Sequence, residues 1–329
     1  MQPTVKLDPS AASTRPSPWW RGLLGTSGPL IGLILLFTVM SLSTDAFLSV
    51  RNLLNVLDQM TVLGILAIGM TFVIIIGGID LSVGAVLALS MMVMGWLANN
   101  QGWPFPVAIL GALGVGGLCG LVSGLLVTRL RLPAFIATLA MLSVARGLAN
   151  IITNGEQIVG YPEWFTNLAI VRHFGFLSAT VALLIVLSLA AAAFLRYRAA
   201  GRSLYAIGGS PEVARLAGIA VRRVSTWVYV ASGVLAGLAG VVLAARLDSS
   251  QPSAGTGYEL DAIAAVVIGG ASLAGGVGSI GGTIIGVFII GILRNGLNLI
   301  GVSPFVQQIV IGVVIAVAVS IDSLRRRER

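Results

Sequence analysis

Val62-Leu63-Gly64-Ile65-Leu66-Ala67-Ile68-Gly69-Met70-Thr71-Phe72-Val73-Ile74-Ile75-Ile76 carries no ionisable side chain. It stops at Gly77-Gly78-Ile79-Asp80-Leu81-Ser82, and a second apolar run opens at Val83. A spanning helix needs about 20 predominantly apolar residues, and the run extended to 56–77 meets that length. The pattern recurs along the chain. It predicts spans at 28–47, 56–77, 82–98, 105–128, 133–153, 177–196, 225–246, 259–274, 281–300 and 304–323. The expected fold class is therefore all-α: a polytopic membrane protein with a single transmembrane domain over 23–324.

Composition agrees. Hydrophobic residues make up 57% of the chain and charged residues 10%, against about 25% charged in a soluble domain. Mean hydropathy is +0.99. Residues 1–22 are polar and hold Pro3, Pro9, Pro16 and Pro18, which predicts a disordered tail. Residues 325–329 form a basic C-terminus. Trp19 and Trp20 stand where an interfacial aromatic belt belongs. Cys119 is the only cysteine, so neither an intrachain disulfide nor a multi-cysteine metal site is expected.

The basic residues set the orientation. Of the twenty, fifteen fall in the tail, 78–81, 129–132, 196–224, 275–280 and the C-terminus. Arg51, Arg172 and Arg246 fall on the other side, while Arg146 and Arg294 lie inside spans. Lys/Arg enrichment marks cytoplasmic loops, so both termini are expected in the cytoplasm. This distribution also explains the pI of 10.7 without any nucleic-acid partner. The largest outer loop, 154–176, holds the lone His173, read as a polar surface residue.

Lys6 is the only lysine and lies in the tail. A phosphate-binding P-loop requires Gly-Lys-Ser/Thr, so ATP-driven work would need a second polypeptide. No His/Cys cluster, HExxH or GxSxG is present, which argues against an enzyme.

The inner segment 197–224 is the most informative polar stretch. Ser210 reads as an N-cap, Pro211 as the first helical position and Glu212 as an acidic first turn. Arg215 falls in the last turn and Gly218 at the αL position after it. The predicted helix, 211–217, places Val213, Leu216 and Ala217 on one face. Two turns do not hold alone in water. The helix must dock on its own membrane domain or on a cytoplasmic partner, and the sequence leaves both open.

At the break, Gly77 and Gly78 permit a sharp turn, and Asp80 or Ser82 can cap the next helix. The other reading of Asp80 is an intramembrane proton or ion site, which its expected place at the membrane edge disfavours. Ile76-Gly77-Gly78-Ile79-Asp80-Leu81 has an echo in Ile268-Gly269-Gly270-Ala271-Ser272-Leu273. Gly116, Gly120 and Gly124 form a small-residue ridge for close helix packing. Arg146 and Arg294 lie roughly 10 Å from the outer surface at 1.5 Å per residue. The candidates to pair with them are Asp58, Glu259 and Asp261, and a role at the outer gate or pathway is the alternative. Asn295, Asn298, Gln307 and Gln308 suit a neutral polyhydroxylated solute or hydrogen bonds between helices.

Longer motifs resemble the permease subunit of bacterial sugar-uptake ABC transporters of the ribose/xylose/galactose type. They are Gly69-Met70-Thr71-Phe72-Val73-Ile74 leading into Gly78-Ile79-Asp80-Leu81-Ser82-Val83-Gly84, then Pro133-Ala134-Phe135-Ile136-Ala137-Thr138-Leu139 and Tyr205-Ala206-Ile207-Gly208-Gly209. The stretches Ser250–Gly270 and Asn295–Val302 are most similar to the ribose branch. The resemblance runs from about 28 to 323. It implies an inner-membrane homodimer in the lipid bilayer, a periplasmic sugar-binding protein outside and a separate ATP-binding cassette subunit inside. It assigns ATP and Mg to that ATPase, with no cofactor or metal in this chain. It also implies that the loop holding 211–217 meets the ATPase. The alternatives are an ion-coupled secondary transporter, or an ABC permease for nucleosides or branched amino acids. Which sugar is carried is not written in these motifs; ribose comes first by resemblance.

Overall fold

The computed structural model describes residues 19–327, with side chains from 28 to 320. Among the described residues, seven helical segments are long and apolar enough to cross a bilayer. They are α2 (Val50–Ile75), α3 (Val83–Gly95) continued by a π turn (Trp96–Asn100), α4 (Phe105–Thr128), α5 (Ala134–Ile151), α7 (Ala179–Tyr197), α10 (Val221–Leu247) and α12 (Ile280–Leu299). Helices α1 (Trp19–Ser43) and α13 (Pro304–Arg327) add the apolar stretches Gly28–Ser43 and Pro304–Ser320. Of the expected tail, residues 1–18 lie outside the described residues, and α1 already runs from Trp19. Residues 325–327 of the basic end continue α13, while 328–329 lie outside the described residues.

One expected span is corrected. In place of 259–274, α11 (Tyr258–Ile268) has 11 residues, about 16 Å at 1.5 Å per residue. That is half a bilayer core. Gly270, Gly275 and Gly276 adopt φ of 94°, 90° and 74°, which ends the helix although the sequence stays apolar.

The most buried spans are α2, α10 and α3. The glycine ridge of α4 packs on α10. A Cβ at Gly116 would strike the carbonyl oxygen of Gly233, and one at Gly233 would strike that of Gly116. Gly120 and Gly124 meet Tyr229 and Thr226 in the same way, and the Thr128 and Thr226 hydroxyls close the inner end at 2.9 Å. Small residues here let two backbones approach where lipid supplies no hydrophobic drive between helices. Helices α1, α5, α7 and α13 turn large apolar side chains outward, among them Leu42, Val144, Val186 and Ile309.

The outer end is strapped by α6 (Glu163–Ile170) and four short strands. β1 (Ile158–Val159) pairs antiparallel with β4 (Ser249–Ser250), and β2 (Arg172–His173) with β3 (Leu177–Ser178). Phe165 is fully buried against Phe105, Tyr161 and Trp164, at ring centroids 4.6–6.0 Å apart. The Tyr161 hydroxyl lies 2.5 Å from Ser250 Oγ, and burial pushes its pKa up to about 12. Arg172 pairs with Asp58 at 2.7 Å, tying this strap to the start of α2.

Candidate functional site

The segments read as cytoplasmic gather at the opposite end. After α7 the chain turns at Arg198 into α8 (Ala199–Gly209), a helix the sequence reading did not anticipate. Leu204 and Ile207 of α8 are buried, and Gly201 packs on the Phe194 carbonyl. Helix α9 (Pro211–Leu216) comes directly after it. Ser210 Oγ accepts from Val213 N at 3.4 Å, and Pro211 occupies the first turn. Gly218, at φ 83°, ends α9. Its N–H donates to Arg215 O, and Ile219 N–H to Ala214 O, both at 3.0 Å. Only Ala214 of α9 is buried, while Val213 and Leu216 are 63% and 82% exposed. Val213 and Leu216, the large apolar side chains of α9, therefore point away from the membrane domain. Glu212 and Arg215 line a cavity of about 540 Å³ with Arg131, Arg222, Gly78 and Tyr229.

Helix α8 joins α9 to both helix breaks through glycine. Gly208 sits against Ile75 O, the last carbonyl of α2, and Gly276 N, in the α11–α12 break. Gly276 N–H donates to Ile75 O at 2.8 Å, so the two breaks are hydrogen-bonded to each other. A Cβ at Gly275 would lie 2.9 Å from Gly77 N and 3.0 Å from Gly208 Cα. The Tyr205 hydroxyl donates to Gly278 O at 2.9 Å. No side chain larger than hydrogen fits at Gly208 without moving one of the three backbones.

Asp80 lies deeper than the membrane edge expected for it. One carboxylate oxygen accepts from Ser82 N at 3.0 Å and Ser82 Oγ at 2.6 Å; the other accepts from Ser232 Oγ at 2.8 Å. Ser232 stands eleven residues into α10 from Val221, about 16 Å along its axis. From Gly77 the chain turns back into the bundle, so α3 starts inside it. Ser82 hydroxyl caps no N–H of α3; it serves Asp80, and Asp80 holds the helix start. The Tyr229 hydroxyl is buried here without a hydrogen-bond partner among the described residues, and a Cβ at Gly78 would strike it.

At the outer end, Arg294 Nη2 contacts both Asp261 oxygens at 2.8 and 2.6 Å, joining α12 to the first turn of α11. Among the described residues Arg146 pairs with no carboxylate. Its Nη1 donates to Pro252 O at 2.5 Å and Ala254 O at 2.9 Å, in the loop leading to α11. Asp58 is engaged by Arg172 and Ser178 instead. Asn295 exchanges two amide hydrogen bonds with Asn52 of α2, both 2.9 Å, and Asn298 Oδ1 accepts from Gln307 at 3.0 Å. The Asn52–Asn295 pair is buried and satisfied by protein, whereas Asn298 is exposed and engages Gln307 through its Oδ1 alone. Ser232, Tyr229, Gly208 and Asn52 were not singled out as site residues. Gly208 alone left a signal, in the Tyr205–Gly209 motif.

The chain matches the family model described as branched-chain amino acid transport system / permease component over residues 52–319. The ribose import permease protein RbsC of Escherichia coli strain K12 is 45% identical over 304 residues, 90% of this chain and 93% of that protein. Its counterpart from Bacillus subtilis strain 168 is 46% identical over 92% of this chain and 94% of its own length. The L-arabinose ABC transporter permease protein AraH of Azospirillum brasilense is 36% identical over 93% of this chain and 90% of its own. No solved structure matches the chain. Reaching from the first turn of α2 well into α13, the family match makes this chain a member of the branched-chain amino acid transport system permease family, a multi-pass inner-membrane transport subunit and not an enzyme.

Proposed function

We propose that this chain is the permease subunit of an ATP-driven, binding-protein-dependent sugar importer, with ribose as the first substrate to test. The observation that carries this reading is near-full-length identity of 45% and 46% to two ribose import permeases. Relatives named for arabinose and fructose stand at 36%. The family model bears a branched-chain amino acid name, but these relatives at 36–46% identity are named for sugars.

In this reading two copies enclose the pathway, a sugar-binding protein docks on the outer strap, and an ATPase holding ATP and Mg docks inside. Helix α9 is the docking element, because Val213 and Leu216 are apolar and face the cytoplasm. Motion at α9 passes through α8 to Gly208, which touches the ends of both broken hairpins at once. Arg146 and Arg294 hold the outer ends of α5, α11 and α12 together, and so shape the outer gate rather than select a sugar.

The depth of Asp80 is what an ion-coupled carrier would require, so the two readings need an experiment that parts them. The permease is reconstituted in vesicles with its ATPase and binding protein, and ribose uptake is measured. Uptake should stop when the P-loop lysine of the ATPase is replaced. Uptake that survives this replacement and collapses with a protonophore overturns the ATP-driven reading.

A further inference from the structure

We propose that the cytoplasmic half of α7 carries a binding site for one anionic diacyl phospholipid, its two chains lying on either side of a ridge made by Ala190 and Phe194 and its phosphate held by Arg198 and Arg223. Two grooves share that ridge. One, about 680 Å³, runs between α2, α7, α8 and α10 past Phe72, Leu187 and Leu235, and Arg223 is its only charged lining residue. The other, about 470 Å³, runs on the far side of that ridge past Ala193 and Tyr197, and Arg198 is its only charged lining residue.

The arginines stand where a headgroup would. Arg198 caps the inner end of α7, and Arg223 lies in the first turn of α10. Both are exposed, and neither side chain makes a hydrogen bond or ion pair among the described residues. Each has an exposed aromatic beside it, Tyr197 at 68% and Trp227 at 67%, at the depth where amphipathic rings mark the membrane interface. Basic pockets between helices on the cytoplasmic side suit anionic headgroups, at about 1 kcal/mol per arginine near the surface.

The same chemistry argues against a second copy as occupant. A two-fold interface places the same patch on both sides, and neither groove offers an acidic side chain to meet the arginines. A free anion would meet the arginines but none of the apolar walls.

The test uses the permease–ATPase complex in detergent, titrated with dioleoyl phosphatidylglycerol and with dioleoyl phosphatidylcholine, and read by native mass spectrometry. Phosphatidylglycerol should bind in preference. Arg198→Gln and Arg223→Gln should each weaken it about fivefold, and the double variant about 25-fold. Arg129→Gln, at the end of α4, should leave it unchanged. Equal binding of phosphatidylcholine, a double variant that binds like the parent, or an equal loss in Arg129→Gln overturns the proposal. Displacement by glycerol phosphate alone does so too, as does efficient disulfide cross-linking of two copies through Ala193→Cys.

Discussion

Helices α2 and α11 stop by the same backbone device. Gly77 N–H donates to Ile74 O and Gly78 N–H to Val73 O; Gly270 N–H donates to Val267 O and Ala271 N–H to Val266 O. Gly77 and Gly270 take φ of 79° and 94°. The backbone equivalence is therefore Gly77 with Gly270, one residue out of step with the echo read from the letters. Beyond the stop the two part ways. After Gly77 the chain enters α3 within six residues, and Asp80 is buried on three hydroxyl and amide donors. After Gly270 it runs ten residues to Ile280, and Leu273 stands where Asp80 does. The first break is fixed by a carboxylate inside the bundle. The second is fixed by backbone contacts among glycines and by its neighbour α8. Two hairpins with one kind of stop thus rely on different physics to hold the turn after it.

Asp80→Ala should give the largest effect. It leaves the Ser82 and Ser232 hydroxyls without their acceptor, and a buried donor left unsatisfied costs about 1–3 kcal/mol. A loss of about 4 kcal/mol is expected, with a marked fall in melting temperature in detergent. Leu273→Ala should cost about 1 kcal/mol. Equal melting temperatures for the two variants would erase the distinction between the breaks.

Gly208→Ala comes next. Its Cβ must displace Ile75 O or Gly276 N, and overpacking costs about 1–3 kcal/mol. Sugar uptake per ATP hydrolysed should fall at least tenfold while the ATPase still co-purifies. Unchanged coupling would mean the contact between the breaks is passive.

Arg294→Met tests the far end of the second hairpin, where Asp261 is 3% exposed and Arg294 40%. With the arginine already part-solvated, a loss of about 2 kcal/mol is expected, and uptake of two different sugars should fall by a similar factor. A changed preference between the sugars, with stability intact, would place Arg294 against substrate.

The smallest effect concerns the hydroxyl pair Thr71–Thr283, 2.7 Å apart, which joins α2 before its break to α12 after the other. Thr71→Val should lower stability by about 0.6 kcal/mol, the usual contribution of an interhelical hydrogen bond in lipid. A loss above 2 kcal/mol would show that this pair, not Gly208, locks the breaks together.

Much of this architecture was legible because lipid leaves a chain few choices: backbone groups must be satisfied internally, so apolar runs of bilayer length report helices directly. The α9 helix was readable from Ser210, Pro211 and Gly218 because capping is local. The failures share the opposite cause. Hydropathy is blind to φ, so 259–274 looked like a full span despite its glycines. Arg198, Gly201 and Arg202 hid α8 inside a segment read as loop. The depth of Asp80 depends on Ser232, and the partner of Asn295 is Asn52, 243 residues away. No local pattern announces such pairs.

That separation sets a timetable for synthesis. At roughly 5–20 residues per second, Asn295 is made about 12–50 s after Asn52. Ser232 comes after Asp80, 152 residues earlier, by about 8–30 s. Asp80 waits beside Ser82, two residues on, and Asn52 leans on the Phe47 carbonyl at 3.0 Å. Asp80 and Asn52 thus each have a companion within five residues of their own position, which shelters them during insertion until the distant partner arrives.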